Sequence, residues 1–181
     1  MKRSAFLLFI PVLASSAAAV HRKQAAPDRW DTATVNSSAR SPRPVKWTVL
    51  GGDSAREVTS GRTVSITLQA EIAKGWHIYS LTQKAGGPIP LRLYVVGATD
   101  VVVRGVVKAP KPQRILDQNF GIETELYSGT PRFTIPMGVA GRSPSGTRKF
   151  QIGARYQVCS DKMCLPPRTD KLDVAIRIAS R

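Results

Sequence analysis

The residues best equipped for chemistry are Cys159 and Cys164, the only two cysteines in the chain. They stand in a C-x4-C arrangement inside Arg155-Tyr156-Gln157-Val158-Cys159-Ser160-Asp161-Lys162-Met163-Cys164-Leu165-Pro166-Pro167. An alternating run (Phe150, Ile152, Ala154, Tyr156, Val158) leads into the pair, and Pro166-Pro167 close it. Polar or flexible residues fill the interval, so a hairpin-sized turn would set the two sulfurs face to face. Thiols so placed could form a disulfide or bind a soft metal. A structural zinc site wants four ligands, and two Cys with two His, His21 and His77, supply them poorly. Cys159, Cys164, Met163 and His77 would make a Cu(I) donor set, since thiolate and thioether favour that ion. We expect no metal and no other cofactor. A Cys–His hydrolase needs a lone nucleophile beside a base, whereas two close cysteines in an oxidising compartment pair instead. For His77 itself, a half-buried strand position is the plainer reading.

The compartment is read from residues 1–19. Lys2-Arg3 form a positive n-region, Ala5 to Leu13 an apolar h-region, and Ala17-Ala18-Ala19 a small-residue cleavage site. This is the pattern of a secretory signal peptide, and the apolar run is too short for a membrane anchor of about twenty residues. The mature protein is therefore expected to be exported and soluble, in the periplasm, where a Cys159–Cys164 disulfide can persist. Such a bond could be a staple or a redox carrier. Chain-entropy bookkeeping gives a loop this short only about 2 kcal/mol, against about 4.7 kcal/mol for a hundred-residue loop. A domain able to build its own core has little need of so local a clip. A short loop can also open and reclose without unfolding its scaffold. Spacing alone leaves staple and carrier both open, since C-x4-C lacks the diagnostic force of C-x-x-C.

The rest of the chain must hold this turn in place. With 181 residues, 42% hydrophobic, thirteen prolines and fourteen glycines, it allows one domain with a real core and leans to all-β. Residues 20–44 lack apolar periodicity and read as a flexible arm, pinned at Trp30; Asn36-Ser37-Ser38 is too common a tripeptide to count as a glycosylation site. From Val45 the texture changes. Val45, Trp47 and Val49 alternate up to a Gly51-Gly52-Asp53 turn. Val64, Ile66, Leu68 and Ala70 alternate against Thr63, Ser65, Thr67 and Gln69. Further strands are expected at Trp76–Tyr79, Leu91–Val95, Val101–Val107, Thr124–Tyr127, Phe133–Ile135, Lys149–Val158 and Leu172–Ile178. Short strands between Gly/Pro turns predict a β-sandwich over residues 45–181. Two loops stand out. Gln83 to Pro90 carries a Gly86-Gly87-Pro88 turn, and Lys111 to Gly121 is long for a sandwich connection, with Phe120 an apolar side chain in a polar setting.

A net charge of +15 points toward an anionic partner: nucleic acid, an anionic membrane surface or an acidic protein. The basic residues are scattered and do not alternate with aromatics, and export removes the chain from nucleic acid, so no nucleic-acid partner is expected. Peripheral contact with an anionic membrane surface remains an expectation.

Lys74-Gly75-Trp76-His77-Ile78-Tyr79-Ser80, Gly87-Pro88-Ile89-Pro90-Leu91, Tyr127-Ser128-Gly129 and Tyr156-Gln157-Val158-Cys159-Ser160-Asp161-Lys162-Met163-Cys164-Leu165-Pro166-Pro167 follow one another in that order. Together they resemble the amino-terminal periplasmic domain of the thiol:disulfide interchange protein DsbD, over roughly Val45 to Ile178. The resemblance implies an immunoglobulin-like β-sandwich whose cysteine pair relays electrons from a membrane thiol domain to exported, thioredoxin-like oxidoreductases. It makes Cys164 the exposed nucleophile and Cys159 its partner. Asp117-Gln118-Asn119-Phe120-Gly121 resembles the family's cap loop, with Phe120 as the cap and Asp117 as a modulator of thiol pKa. The larger family protein continues into a transmembrane and a thioredoxin-like domain, so a separate membrane thiol donor is expected here. The alternative is an immunoglobulin-like binding module with a purely structural disulfide.

Overall fold

A computed structural model of the chain describes residues 43–51 and 56–180. The signal peptide, nearly all of the arm with Trp30 and Asn36, and Gly52-Asp53 of the first turn lie outside the described residues. Those described form twelve strands and no helix: β1 Val45–Leu50, β2 Arg56–Thr59, β3 Thr63–Ile72, β4 Trp76–Tyr79, β5 Arg92–Val96, β6 Val101–Val103, β7 Gln113–Asp117, β8 Ile122–Tyr127, β9 Arg132–Val139, β10 Gly146–Tyr156, β11 Val158–Ser160 and β12 Arg168–Ala179. They make three four-stranded sheets, β1-β3-β9-β6, β2-β12-β10-β5 and β11-β4-β8-β7. The expected all-β sandwich is the fold observed.

Two-residue periodicity does most of the building. Ile66, Leu68, Ala70 and Ile72 of β3 are buried while Ser65, Thr67 and Gln69 face outward. Phe150, Ile152, Ala154 and Tyr156 of β10 and Leu172, Val174, Ile176 and Ile178 of β12 do the same from the opposite sheet, and all join one core. Trp47 bridges the layers, its ring 5.7 Å from that of Phe133 and 5.8 Å from that of Tyr156. Tyr156 donates to Asp170 Oδ2 at 2.7 Å, which satisfies its buried hydroxyl.

The third sheet carries the cysteines, and its two faces differ in use. Ile78, Tyr127 and Val158 point into the common core. The alternate positions, His77, Tyr79, Thr124, Leu126 and Cys159, are also buried, but on the other face.

Two expectations about elements change, and one strand not expected from sequence is added. Lys111–Gly121 is not one long loop, because Gln113–Asp117 is an edge strand paired with β8, leaving only residues 118–121 as the connection. Its first four residues are all exposed, so no burial alternation marked the strand. Arg56–Thr59 forms a short parallel edge on β12 with Val58 as its one buried residue. The run into the cysteines breaks at Gln157, whose side-chain Oε1 accepts from Ile89 N at 3.1 Å and ties the Gly86-Gly87-Pro88 loop to the strand junction.

Candidate redox site

The cysteine turn is a small hairpin continuing β11. Leu165 N donates to Val158 O at 2.9 Å and Ser160 N donates to Met163 O at 2.8 Å. Cys159 and Cys164 thus face each other between those hydrogen bonds, at the narrow kind of antiparallel position where side chains come closest. Their Cα atoms are 4.0 Å apart and the sulfurs are bonded at 2.04 Å. Ser160 Oγ accepts from the backbone N–H of Lys162 and of Met163, both at 3.3 Å, and holds the tip. The two sulfurs are not equivalent in exposure. Cys159 is fully buried, whereas Cys164 is partly open to solvent.

Beneath the disulfide, β4 supplies a polar network in an otherwise apolar bed. Tyr79 and Leu126 pack with Cys159, and Cys164 lies against that cluster. The Tyr79 hydroxyl donates to Asp117 Oδ2 at 2.6 Å. Thr124 Oγ1 lies 3.5 Å from the same oxygen, at the outer limit of a hydrogen bond. His77 Nε2 is 3.3 Å from Tyr79 Oη and 3.9 Å from Asp117 Oδ2. Burial pushes the His77 pKa below the usual histidine value, outweighing the attraction of Asp117 and Asp161 for its charged form. Tyr79 is pushed up by burial, by its hydrogen bond to Asp117 and by that residue's charge. Its proton is therefore firmly held.

Asp117 also shapes the connection above it. Its Oδ1 accepts from Asn119 N at 2.9 Å, and its carbonyl accepts from Phe120 N at 3.3 Å and Gly121 N at 2.7 Å. Gly121 closes this turn at φ +66°, a left-handed conformation that a Cβ disfavours. The turn sets Phe120 edge-on to Tyr79, with centroids 6.0 Å apart and planes at 89°. Phe120 is 36% exposed, so it is a surface aromatic and not a core residue. Asn119 Nδ2 donates to Ser160 O at 2.9 Å, joining this turn to the cysteine hairpin.

The structure thus gathers Cys159, Cys164, Asp117 and Phe120 around one ring, that of Tyr79. The Asp117 carboxylate is hydrogen-bonded by Tyr79, Thr124 and Asn119 and lies 3.9 Å from His77 Nε2, so any influence on the sulfurs passes through these neighbours and its field. Tyr79, Thr124 and Asn119 were not singled out from sequence, and His77 is more deeply buried than the strand reading implied. The alternation Trp76-His77-Ile78-Tyr79 already placed His77 and Tyr79 on one face, which was the available signal. In this disulfide-bonded form the two sulfurs of the copper donor set are bonded to each other. Among the described residues no three His, Cys, Asp or Glu side chains converge as a metal site would require.

The sequence profile of the N-terminal domain of the thiol:disulfide interchange protein DsbD matches residues 48–176. Among solved structures, the DsbD N-terminal domain of Neisseria meningitidis in its reduced form is similar, at 15% identity and a TM-score of 0.48, covering 78% of this chain and 98% of that one. The N-terminal periplasmic domain of ScsB from Proteus mirabilis is similar at 18% identity and a TM-score of 0.46. That match covers 72% of this chain and 44% of the ScsB chain. No curated protein matches.

Proposed function

The chain belongs to the family of the DsbD N-terminal domain, and from that premise we propose that it is an exported thiol–disulfide relay working through Cys159 and Cys164. The observation that carries this reading is the asymmetry of the pair: one sulfur fully buried, its partner reachable, both in a turn outside the common core. A structural staple gains nothing from such an arrangement. An exchange site needs it, because an incoming sulfur can then meet only Cys164.

In the reduced protein Cys164, as thiolate, attacks a disulfide of a thioredoxin-like partner and forms a mixed disulfide. Cys159 then attacks Cys164 Sγ, closes the intramolecular bond and expels the partner's second sulfur as a thiolate. Two electrons pass to the partner, and a membrane thiol donor restores the dithiol. Phe120 acts as a lid on this chemistry. Its ring lies on Tyr79, which packs against the disulfide, and its turn is anchored by Asp117 and tethered through Asn119. A partner displaces it at modest cost, and until then it narrows the approach to the partly open Cys164.

Two measurements test the reading. A reduction potential near about −200 mV suits a carrier, whereas one below about −300 mV marks a structural bond. A Cys159→Ser variant, reduced and offered an oxidised thioredoxin-like protein, should accumulate a mixed disulfide through Cys164. Absence of any adduct, together with a potential below −300 mV, would leave the immunoglobulin-like binding module as the reading.

A further inference from the structure

The ring-closing step contains an unassigned proton. Cys159 must lose its S–H proton to become the attacking thiolate, yet it is fully buried and water does not reach it. Its neighbour across the sheet is His77. The two are directly paired in the β11–β4 register, and both project from the same face. Side chains at such positions have Cβ atoms about 5 Å apart.

The hydrogen-bond network assigns the His77 tautomer. Tyr79 spends its only hydrogen on Asp117 Oδ2 at 2.6 Å, so at the 3.3 Å contact between His77 Nε2 and Tyr79 Oη the hydrogen must sit on Nε2. Nδ1 is then left with its lone pair. It makes no hydrogen bond among the described residues, and it is not one of the fully buried side-chain atoms left without one, so this edge of a side chain only 9% exposed keeps a path to solvent. Asp161, at the tip of the cysteine hairpin, acts on His77 as well, which puts the imidazole within the field of that turn.

We propose that His77 is the base that receives the proton of Cys159 during ring closure. The inference rests on the relay reading above and names a residue for its second step. With the mixed disulfide at Cys164 in place, the Cys159 proton moves to His77 Nδ1. The Cys159 sulfur bonds to Cys164 Sγ, the Cys164–partner bond breaks, and its electron pair leaves on the partner's sulfur. The imidazolium then returns its proton to solvent or to that departing thiolate. Three groups face the ring: Tyr79 from its own strand, Asp117 from β7 and Asp161 from the hairpin tip. The two carboxylates stabilise the transient imidazolium, and burial keeps the resting ring neutral and able to accept. The family-like blocks in the sequence gave no reason to single out His77; its place opposite Cys159 did.

The test separates the two chemical steps. Reduced protein is mixed with a small aromatic disulfide, and release of aryl thiolate is followed by stopped flow. The first equivalent reports attack by Cys164 and the second reports closure by Cys159. His77→Gln keeps an N–H able to donate to Tyr79 Oη but offers no base. We expect its first phase within twofold of wild type and its second phase at least tenfold slower. In wild type the closure rate should level off above the imidazole ionisation, at a pH below about 6.5, whereas the variant's should keep rising with pH. A folded His77→Gln protein with both phases unchanged overturns the proposal. If the variant does not fold, the wild-type profile decides alone: a closure rate climbing tenfold per pH unit from 6 to 8 overturns it, and a plateau supports it. Wild-type protein that closes no ring with this probe would instead overturn the relay reading itself, so the two failures are distinguishable.

Discussion

Asn119 donates its side-chain amide to the carbonyl of Ser160 at 2.9 Å, so the turn bearing Phe120 is fastened to the hairpin bearing the cysteines. The bond crosses between segments that share no strand pairing: Asn119 follows β7, and Ser160 ends β11 at the far edge of the same sheet. It is exposed, so its net worth is at the low end, about 0.5 kcal/mol. Asn119→Ala should therefore leave the melting temperature nearly unchanged. Alkylation of reduced Cys164 by a small reagent should nonetheless speed up several-fold, because the lid loses its tether. An unaltered alkylation rate would show that Asn119 does not govern access.

Phe120→Ala tests the lid directly. A core phenylalanine truncated to alanine costs about 3–5 kcal/mol. Phe120 is 36% exposed and meets Tyr79 edge-on, so the expected loss is nearer 1 kcal/mol. Alkylation of Cys164 should accelerate more than in Asn119→Ala, since the ring itself is gone. Early melting with a wild-type alkylation rate would make Phe120 a packing residue only.

How much of this was visible in the sequence depends on which signal each residue could send. Strands with one buried face, such as Thr63–Ile72 and Arg168–Ala179, announced themselves by alternation. Gln113–Asp117 did not, because an edge strand with four exposed residues has no pattern to show. The cysteine pair was legible from its spacing and from its resemblance to a family, and that resemblance also pointed to the Asp117–Gly121 turn, which lies beside the cysteine hairpin. The roles of Tyr79 and Asn119 were not, since each depends on a partner 38 or 41 residues away, and spacing along the chain carries no record of such contacts. His77 was visible as a strand residue. Its tautomer follows only from the proton that Tyr79 gives to Asp117.

Stability should fall at high pH. Tyr79 and Tyr156 both donate to carboxylates, and burial with those charges pushes both phenols above their ordinary value. A raised folded-state pKa means the contribution is complete below about pH 10 and is lost as pH rises beyond it. Each phenol can contribute a slope of up to about 1.4 kcal/mol per pH unit there. Melting temperatures measured from pH 8 to 11 should turn downward near 10, and Tyr79→Phe should soften the fall. A flat profile through pH 11 would contradict the assignment of these protons.

At the acid end the sign reverses in origin. His77 is held below its ordinary pKa, so the unfolded chain binds its proton first as pH drops. Its contribution is complete above about pH 6.5 and is lost as pH falls from there toward its folded value. Wild-type stability should decline on that interval by more than that of His77→Gln, measured by denaturant titration at pH 7.5 and 5.5. Equal declines would mean the ring is protonated freely in the folded protein.

Gly121 separates the geometry of the lid turn from its chemistry. The residue sits at φ +66°, donates to Asp117 O at 2.7 Å, and has open space where a Cβ would project. Alanine there meets no steric obstacle, so the cost is backbone strain alone, about 1–2 kcal/mol for an L-residue held left-handed. The protein can absorb that cost in two ways. It can keep the turn and lose stability, or relax the turn and release Phe120 from Tyr79. In the first case Gly121→Ala melts earlier and its reduced thiol reacts at the wild-type rate. In the second, stability is nearly normal and Cys164 reacts as fast as in Phe120→Ala. Three hydrogen bonds to Asp117 hold the turn, from the backbone N–H groups of Asn119, Phe120 and Gly121, and only the last involves the altered residue. The first outcome is therefore expected, with a lower melting temperature and an unchanged alkylation rate. A fast-reacting, fully stable Gly121→Ala protein would show that the left-handed glycine, and not the Asp117 anchor, keeps the lid closed.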